Sequence, residues 1–189
     1  MPPKRQHSKS QIADAAFAIA REQGLQFLSA RTVAQRLGSS TSPIYSTFQN
    51  MQELEDLVCE RSVEVMLEFQ TKTRTGSPLL DLCLGYVMFA VEEKQLFRDM
   101  FLNKQELSEH SLEMKNYAYH QLMEKMVSKE PSLAGLSKAD MTEILEILWT
   151  YTHGLAAQIN IGAINPPDEQ AITTRLRKFL GPLIASYKI

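Results

Sequence analysis

Cysteine is scarce in this chain of 189 residues: Cys59 and Cys83 are the only two, and neither has a CxxC partner. That excludes a disulfide framework and a thiolate metal site, and it leaves packing in a reducing cytoplasm as the expected role. Long apolar runs are missing as well. The longest uncharged apolar stretch, 82–91, falls far short of the ~20 residues a membrane helix needs, so no membrane partner is expected. The opening MPPKRQHSKS is basic but leads into Ala-rich amphipathic sequence, which is no signal-peptide pattern. No Gly-x-x-x-x-Gly-Lys loop, Gly-x-Gly-x-x-Gly turn or Gly-x-Ser-x-Gly elbow occurs. His7, His110, His120 and His153 lack metal-ligand spacing, and the adjacent Glu92 and Glu93 point different ways on a helix. No catalytic residue, metal or cofactor is expected, and the chain does not read as an enzyme.

Net charge is only −2, which argues at first against nucleic acid. The distribution reverses that. Residues 1–48 carry Lys4, Arg5, Lys9, Arg21, Arg31 and Arg36 against Asp14 and Glu22, a balance of +4, whereas 49–189 carry 14 basic and 20 acidic residues, a balance of −6. A basic N-terminal surface on an acidic body is the footprint expected of a nucleic-acid binder; a chance fluctuation of surface charge is the bland alternative.

Residues 29–54 organise the rest. Ser29 can cap a short helix whose inward residues are Val33, Ala34 and Leu37, and Gly38 can end it. Ser40 can cap a second helix with Pro43 in its first turn, where a missing N–H costs nothing. Ile44 and Phe48 give that helix an apolar face, while Thr41, Ser42, Tyr45, Ser46 and Thr47 point outward, hydroxylated or small and uncharged. Asn50 and Glu53 form a capping box that opens a third helix at once. Two short helices joined by a Gly turn, the second with a hydroxyl-rich face, describe a DNA-binding helix-turn-helix, and also fit a helical hairpin in an unrelated all-α protein.

The remaining pattern is helical throughout. Ser8-x-x-Gln11 and Gly24 bracket a first helix, Lys9–Gln23, with Ile12, Ala16, Ile19 and Ala20 inward and Phe17 and Phe27 as further anchors. Helices are expected over 51–72, 79–93, 95–103, 106–129 and 138–163, with a last one capped after 165–168 and kinked ahead of Pro182. Residues 79–93 are apolar nearly all round and read as buried on every side. Seven of the nine methionines fall within 51–126, beside many aromatics. Such a stripe fits plain core, and it also fits a space that adapts to irregular ligands.

Residues 10–54 resemble the N-terminal domain of TetR-type (TetR/AcrR) transcriptional regulators. Gly38, Ser40, Ile44, Tyr45 and Phe48 fall on the family pattern Gly-x-Ser-x-x-x-ϕ-Tyr-x-x-Phe, Asn50 and Glu53–Leu54 on the capped helix after it, and Val33–Ala34 on the core pair before it. The resemblance implies an all-α fold of about nine helices, with a helix-turn-helix DNA-binding domain at 1–50 and an effector-binding and dimerisation domain at 51–189. It implies a homodimer joined through the last two helices, binding a near-palindromic site on double-stranded DNA and most often acting as a repressor. In that reading Thr41, Ser42 and Pro43 face base edges, Ser29, Tyr45, Thr47 and Asn50 hold phosphates, and Ser40 is a further DNA-binding candidate. Lys4 and Arg5 form a loose basic arm, solvated by default, that could reach a phosphate or the minor groove. Two departures keep a competing class open. The family commonly has His and Lys where this chain has Thr47 and Met51, and a helical small-molecule-binding or protein-interaction module that has lost DNA affinity would look the same.

The resemblance also implies an unknown small-molecule effector enclosed by the later helices. The candidates to line its pocket are Tyr86, Phe89, Met100, Phe101, Tyr117, His120, Met123, Trp149 and His153. Trp149-x-x-x-His153-Gly154 resembles a pattern in the ligand domains of one branch of the family. One turn apart, Trp149 and His153 can stack or share a cavity wall, although a buried, hydrogen-bonded structural role for His153 is favoured over effector contact. Gly154 is expected to let a neighbouring helix approach closely.

Overall fold

A computed structural model describes residues 7–103, 108–165 and 168–188 and, among these, all side chains but those of 115, 117–120 and 124–127. Among the described residues it contains nine α-helices, two short 3-10 turns and no strand. The helices are α1 Lys9–Gln23, α2 Ala30–Leu37, α3 Ser42–Thr47, α4 Met51–Thr71, α5 Pro78–Glu92, α6 Lys94–Phe101, α7 Glu109–Val127, α8 Lys138–Asn160 and α9 Glu169–Ala185. Among the described residues no helix is long and apolar enough to cross a membrane. The chain divides into two compact units, Met1–Glu64 with Gln95–Asn116, and Val65–Lys94 with Tyr117–Ile189.

In the first unit, helix ends are set by their neighbours in sequence. Ser8 and Gln11 form the expected reciprocal box, with bonds of 3.2 and 2.9 Å. Ser29 accepts the Thr32 N–H at 3.1 Å while Thr32 Oγ1 accepts the Ser29 N–H at 3.0 Å. At the far end of α2, Gly38 takes the left-handed conformation (φ 62°), and the N–H groups of Gly38 and Ser39 reach back to Gln35 and Ala34 at 3.1 and 3.0 Å. That is a Schellman turn, which satisfies two orphan carbonyls and fixes the corner between α2 and α3. Ser40 does not cap α3 as the sequence led us to expect. Thr41 stands at the cap with helical backbone (φ −73°, ψ −13°) and no side-chain bond, because the turn runs straight into the helix. Asn50 Oδ1 accepts the Glu53 N–H at 2.9 Å, but the Glu53 carboxylate accepts from Gln49 at 2.8 Å, one residue earlier than a standard box. Ile12, Ala16, Phe17, Ile19 and Ala20 are buried with Val33, Ala34, Ile44 and Phe48 as the core, whereas Phe27 is 50% exposed and anchors nothing.

One long-range clamp completes this unit. The buried Asp99 of α6 accepts the Leu25 N–H at 2.7 Å and the Asn103 amide at 2.6 Å, and Gln95 donates to the Gln23 carbonyl at 2.8 Å. Together these hold the corner after α1 and satisfy the Leu25 N–H and the Gln23 carbonyl, one of the acceptors a helix end leaves open. Burial pushes the Asp99 carboxyl above the usual range, and the Leu25 and Asn103 bonds only partly offset it.

The second unit is built around α5, whose residues from Leu79 to Val87 are all buried. Packed against it are α8 and α9. The close approach lies at Gly85 rather than Gly154. A Cβ at Gly85 would collide with the Phe69 carbonyl and sit 2.5 Å from the Gln70 Cα, so glycine lets α4 and α5 touch backbone to backbone. At Gly154 nothing lies within 4 Å. The N-terminus of α5 is closed by a distant carboxylate. Buried Glu130 accepts from the Leu79 N–H at 3.0 Å and from the Ser77 hydroxyl at 2.8 Å, as well as from both Ser132 donors. Burial pushes this carboxyl up, but the bonds from Ser132, Leu79 and Ser77 outweigh it and hold it below the ordinary value. Asn160 ties α8 to the end of α5 through the Ala90 carbonyl at 2.9 Å. Helix α9 continues past Pro182 to Ala185.

Candidate nucleic-acid interface and buried cavity

Helix α3 turns Ile44 into the core and presents its other face to solvent. Tyr45 is 61% exposed, and Ser42 and Ser46 stand beside it in the open. Two hydroxyls are spent locally: Ser46 and Thr47 both donate to the Pro43 carbonyl, at 3.0 and 2.7 Å. Those of Thr41, Ser42 and Tyr45 have no partner among the described residues, so they remain available as donors or acceptors. Ser29 Oγ and Asn50 Oδ1 are engaged as helix caps.

The cations around this face are mostly paired. Lys9 meets Glu53 at 3.0 Å and lies over the Phe48 ring at 5.1 Å, while Arg36 forks onto Glu22 at 2.8 and 2.5 Å. Arg31, on the first turn of α2, is exposed with no partner among the described residues. Sequence reasoning counted it in the charge balance and passed over it as a contact. Its position two residues after the Ser29 cap was the available signal. Lys4 and Arg5 lie outside the described residues.

The second unit holds a cavity bounded by Gln70 of α4, by Leu82, Cys83 and Tyr86 of α5, by Met123 of α7 and by Leu145, Leu148, Trp149 and Thr152 of α8. The space open to the centre of a water molecule is about 20 Å³, room for roughly one water. Tyr86 and His153 share a hydrogen bond of 2.9 Å, and Trp149 stacks on His153 with centroids 5.5 Å apart and tilts over Tyr86 at 5.0 Å. Complete burial pushes the Cys83 thiol up to about 12, so it is neutral and unreactive at physiological pH. Among the described residues no cluster of His, Cys, Asp or Glu is arranged to hold a metal.

No family model matches the chain, and no curated protein does. Solved structures do. A transcriptional regulator from Rhodococcus sp. Rha1 superposes with a TM-score of 0.69 at 18% identity, over 97% of this chain and 99% of that one. A TetR variant from Acinetobacter baumannii AYE in complex with minocycline gives 0.54 at 17% identity, over 96% and 97%. A TetR from Streptomyces coelicolor gives 0.55 at 16% identity, over 95% and 98%. The fold is that of the TetR-type regulators.

Within this TetR-type fold the pocket candidates separate. Tyr86, Met123 and Trp149 line the cavity, and His153 supports it through Tyr86 and Trp149. Phe89 is buried against Phe69 at 5.9 Å rather than lining it. Met100 and Phe101 belong to the first unit, where Phe101 packs on Phe97 at 5.2 Å. The side chains of Tyr117 and His120 lie outside the described residues. Gln70, Cys83 and Thr152 are lining residues the sequence reading missed, since a buried Gln inside an amphipathic helix carries no periodic signal.

Proposed function

We propose that this protein is a ligand-responsive DNA-binding transcriptional regulator, working as a homodimeric repressor in the cytoplasm. Residues 1–50 would bind double-stranded DNA and 51–189 would hold a small-molecule effector and dimerise through α8 and α9. The observation that carries this reading is the outward face of α3, where Tyr45 and the unpartnered hydroxyls of Thr41 and Ser42 stand on a helix-turn-helix fixed by the Gly38 turn. Such a face can meet base edges with Thr41, Ser42 and Pro43 while Tyr45 and Arg31 take phosphates. Ser40 stands exposed at the mouth of the turn. Ser29 and Asn50, which accept as helix caps, would stand near the DNA backbone, and Thr47, whose hydroxyl donates to Pro43, could still accept or re-aim toward it. Two such helices on a dimer would meet successive major grooves about 34 Å apart. An effector in the second unit would favour a spacing of the two helices that no longer fits DNA.

Thr47, which spends its donor on Pro43, and the apolar Met51 at the head of α4 favour a second reading. In it the chain is a helical binding module without DNA affinity. Fluorescence anisotropy of the purified protein against its own upstream intergenic DNA and against random duplex separates the two. A preference of about 10³ or more for one fragment supports the regulator, and no binding to any duplex supports the module.

A further inference from the structure

The cavity holds two polar atoms poorly answered by the described residues. Gln70 and Thr152 are each 3% exposed, and among the described residues Gln70 Oε1 and Thr152 Oγ1 have no partner within ordinary hydrogen-bond geometry. The Thr152 hydroxyl can donate weakly to the buried Cys83 sulfur, which leaves the Gln70 side-chain carbonyl as the acceptor most in need of a donor. Leaving a buried acceptor unpaired is costly, so the site is built for something that donates to it. The remaining wall is apolar and aromatic, dominated by Tyr86 and Trp149, and none of the described lining residues carries a charge. A charged guest would lose its hydration with no counter-charge to replace it. The Tyr86–His153 bond and the Trp149–His153 stack hold the aromatic wall in place. The flexible thioether of Met123 is the part that can yield to enlarge a space now sized for a water.

We infer that this cavity takes a small, uncharged ring compound bearing one hydroxyl, the ring against Tyr86 and Trp149 and the hydroxyl donated to the Gln70 carbonyl. Thr152 can offer its own hydroxyl to the guest's oxygen. As the identity of the effector, the inference rests on the regulator reading; as a binding chemistry it stands apart from it.

Trp149 is the sole tryptophan of the chain, so its fluorescence reads the cavity directly. The full-length protein is titrated with phenol, toluene and benzoate, with excitation to the red of phenol's absorption. Phenol should give a saturable change, toluene should bind about tenfold more weakly, and benzoate should give none. Gln70→Leu should weaken phenol about tenfold and leave toluene unchanged. If that variant does not fold, Thr152→Val carries the same comparison, with phenol losing several-fold relative to toluene. Equal binding of phenol and toluene, binding of benzoate as tight as phenol, or no saturable response to any of them would overturn the inference; the last would assign the two atoms to a buried water. Since no DNA is present, a protein that binds its operator but no phenol fails here alone. One that binds phenol but no duplex fails the regulator reading alone.

Discussion

Helices α1 and α2 of the first region and the apolar helix α5 of the second are held by different means. In the first, α1 and α2 are opened by partners three residues away, Ser8 with Gln11 and Ser29 with Thr32, and α2 is closed by Gly38 at its own end. In the second, the decisive bonds join residues far apart in sequence: Glu130 to Leu79, Tyr86 to His153, Asn160 to Ala90. A short helix that must present a fixed face cannot wait for distant partners, because six or eight residues bury too little to define themselves by packing. A long apolar helix such as α5 is secured by burial, and its polar ends are then closed by whatever the fold brings near. Local chemistry builds the candidate DNA face, and tertiary chemistry builds the cavity.

The sharpest way to break this contrast is Gly85→Ala. Its Cβ meets the backbone of Phe69 and Gln70, which cannot rotate aside, so the variant should lose about 3 kcal/mol or more in urea unfolding. By thermal circular dichroism that is a fall of roughly 10 °C. Gly154→Ala meets nothing and should gain about 0.5–1 kcal/mol from helix propensity. An equal loss at both positions would show that the backbone approach at Gly85 is not what holds α4 to α5.

Next in size is Glu130→Ala, which leaves the Ser77 hydroxyl and the Leu79 N–H without their acceptor and should cost about 2–3 kcal/mol. Its companion, Glu130→Gln, isolates the charge. Because the folded carboxyl titrates below its unfolded value, the wild-type advantage over Gln should be present above the unfolded pKa of about 4.3 and vanish as pH falls through the folded value. An advantage that grows toward acid would reverse the sign and refute the assignment.

Tyr45→Ala should leave stability within about 0.5 kcal/mol, since the side chain is 61% exposed. It should weaken binding to every duplex by about tenfold, as expected of a phosphate contact. A loss confined to one sequence would place Tyr45 on a base instead. The smallest effect belongs to the local caps. Ser29→Ala should cost about 1 kcal/mol, measured by urea unfolding, and no more than that if the Gly38 turn fixes α2 independently.

The same contrast decides what could be read from the sequence. Ser8, Gly24, Ser29 and Gly38 act over one turn, so the bounds of α1 and the end of α2 were legible as strings of residues. Ser40 misled because a cap was assigned where the chain enters α3 with Thr41 already helical. Burial along α5 was legible from its composition, but which glycine allowed a close approach was not: Gly85 and Gly154 look alike until the crossing of α4 is known. The cavity was half legible. Tyr86, Trp149 and His153 stood out as aromatics at helical spacing, whereas Gln70 and Thr152 matter only because the fold removes their water. Met100 and Phe101 shared the same composition and went to the other unit, since Asp99 between Arg98 and Met100 clamps α6 to Leu25.

The measurement that tests the central claim most directly is the salt dependence of duplex binding by the wild-type protein, followed by anisotropy. A dimer that holds DNA through phosphates should show log K falling linearly with log salt by about 0.9 for each phosphate neutralised, with a total slope steeper than roughly −3. Arg31→Ala should make that slope shallower by about two per dimer. Binding that ignores salt, or no binding to any duplex at low salt, would contradict the account and leave the chain a helical ligand-binding protein with an idle helix-turn-helix.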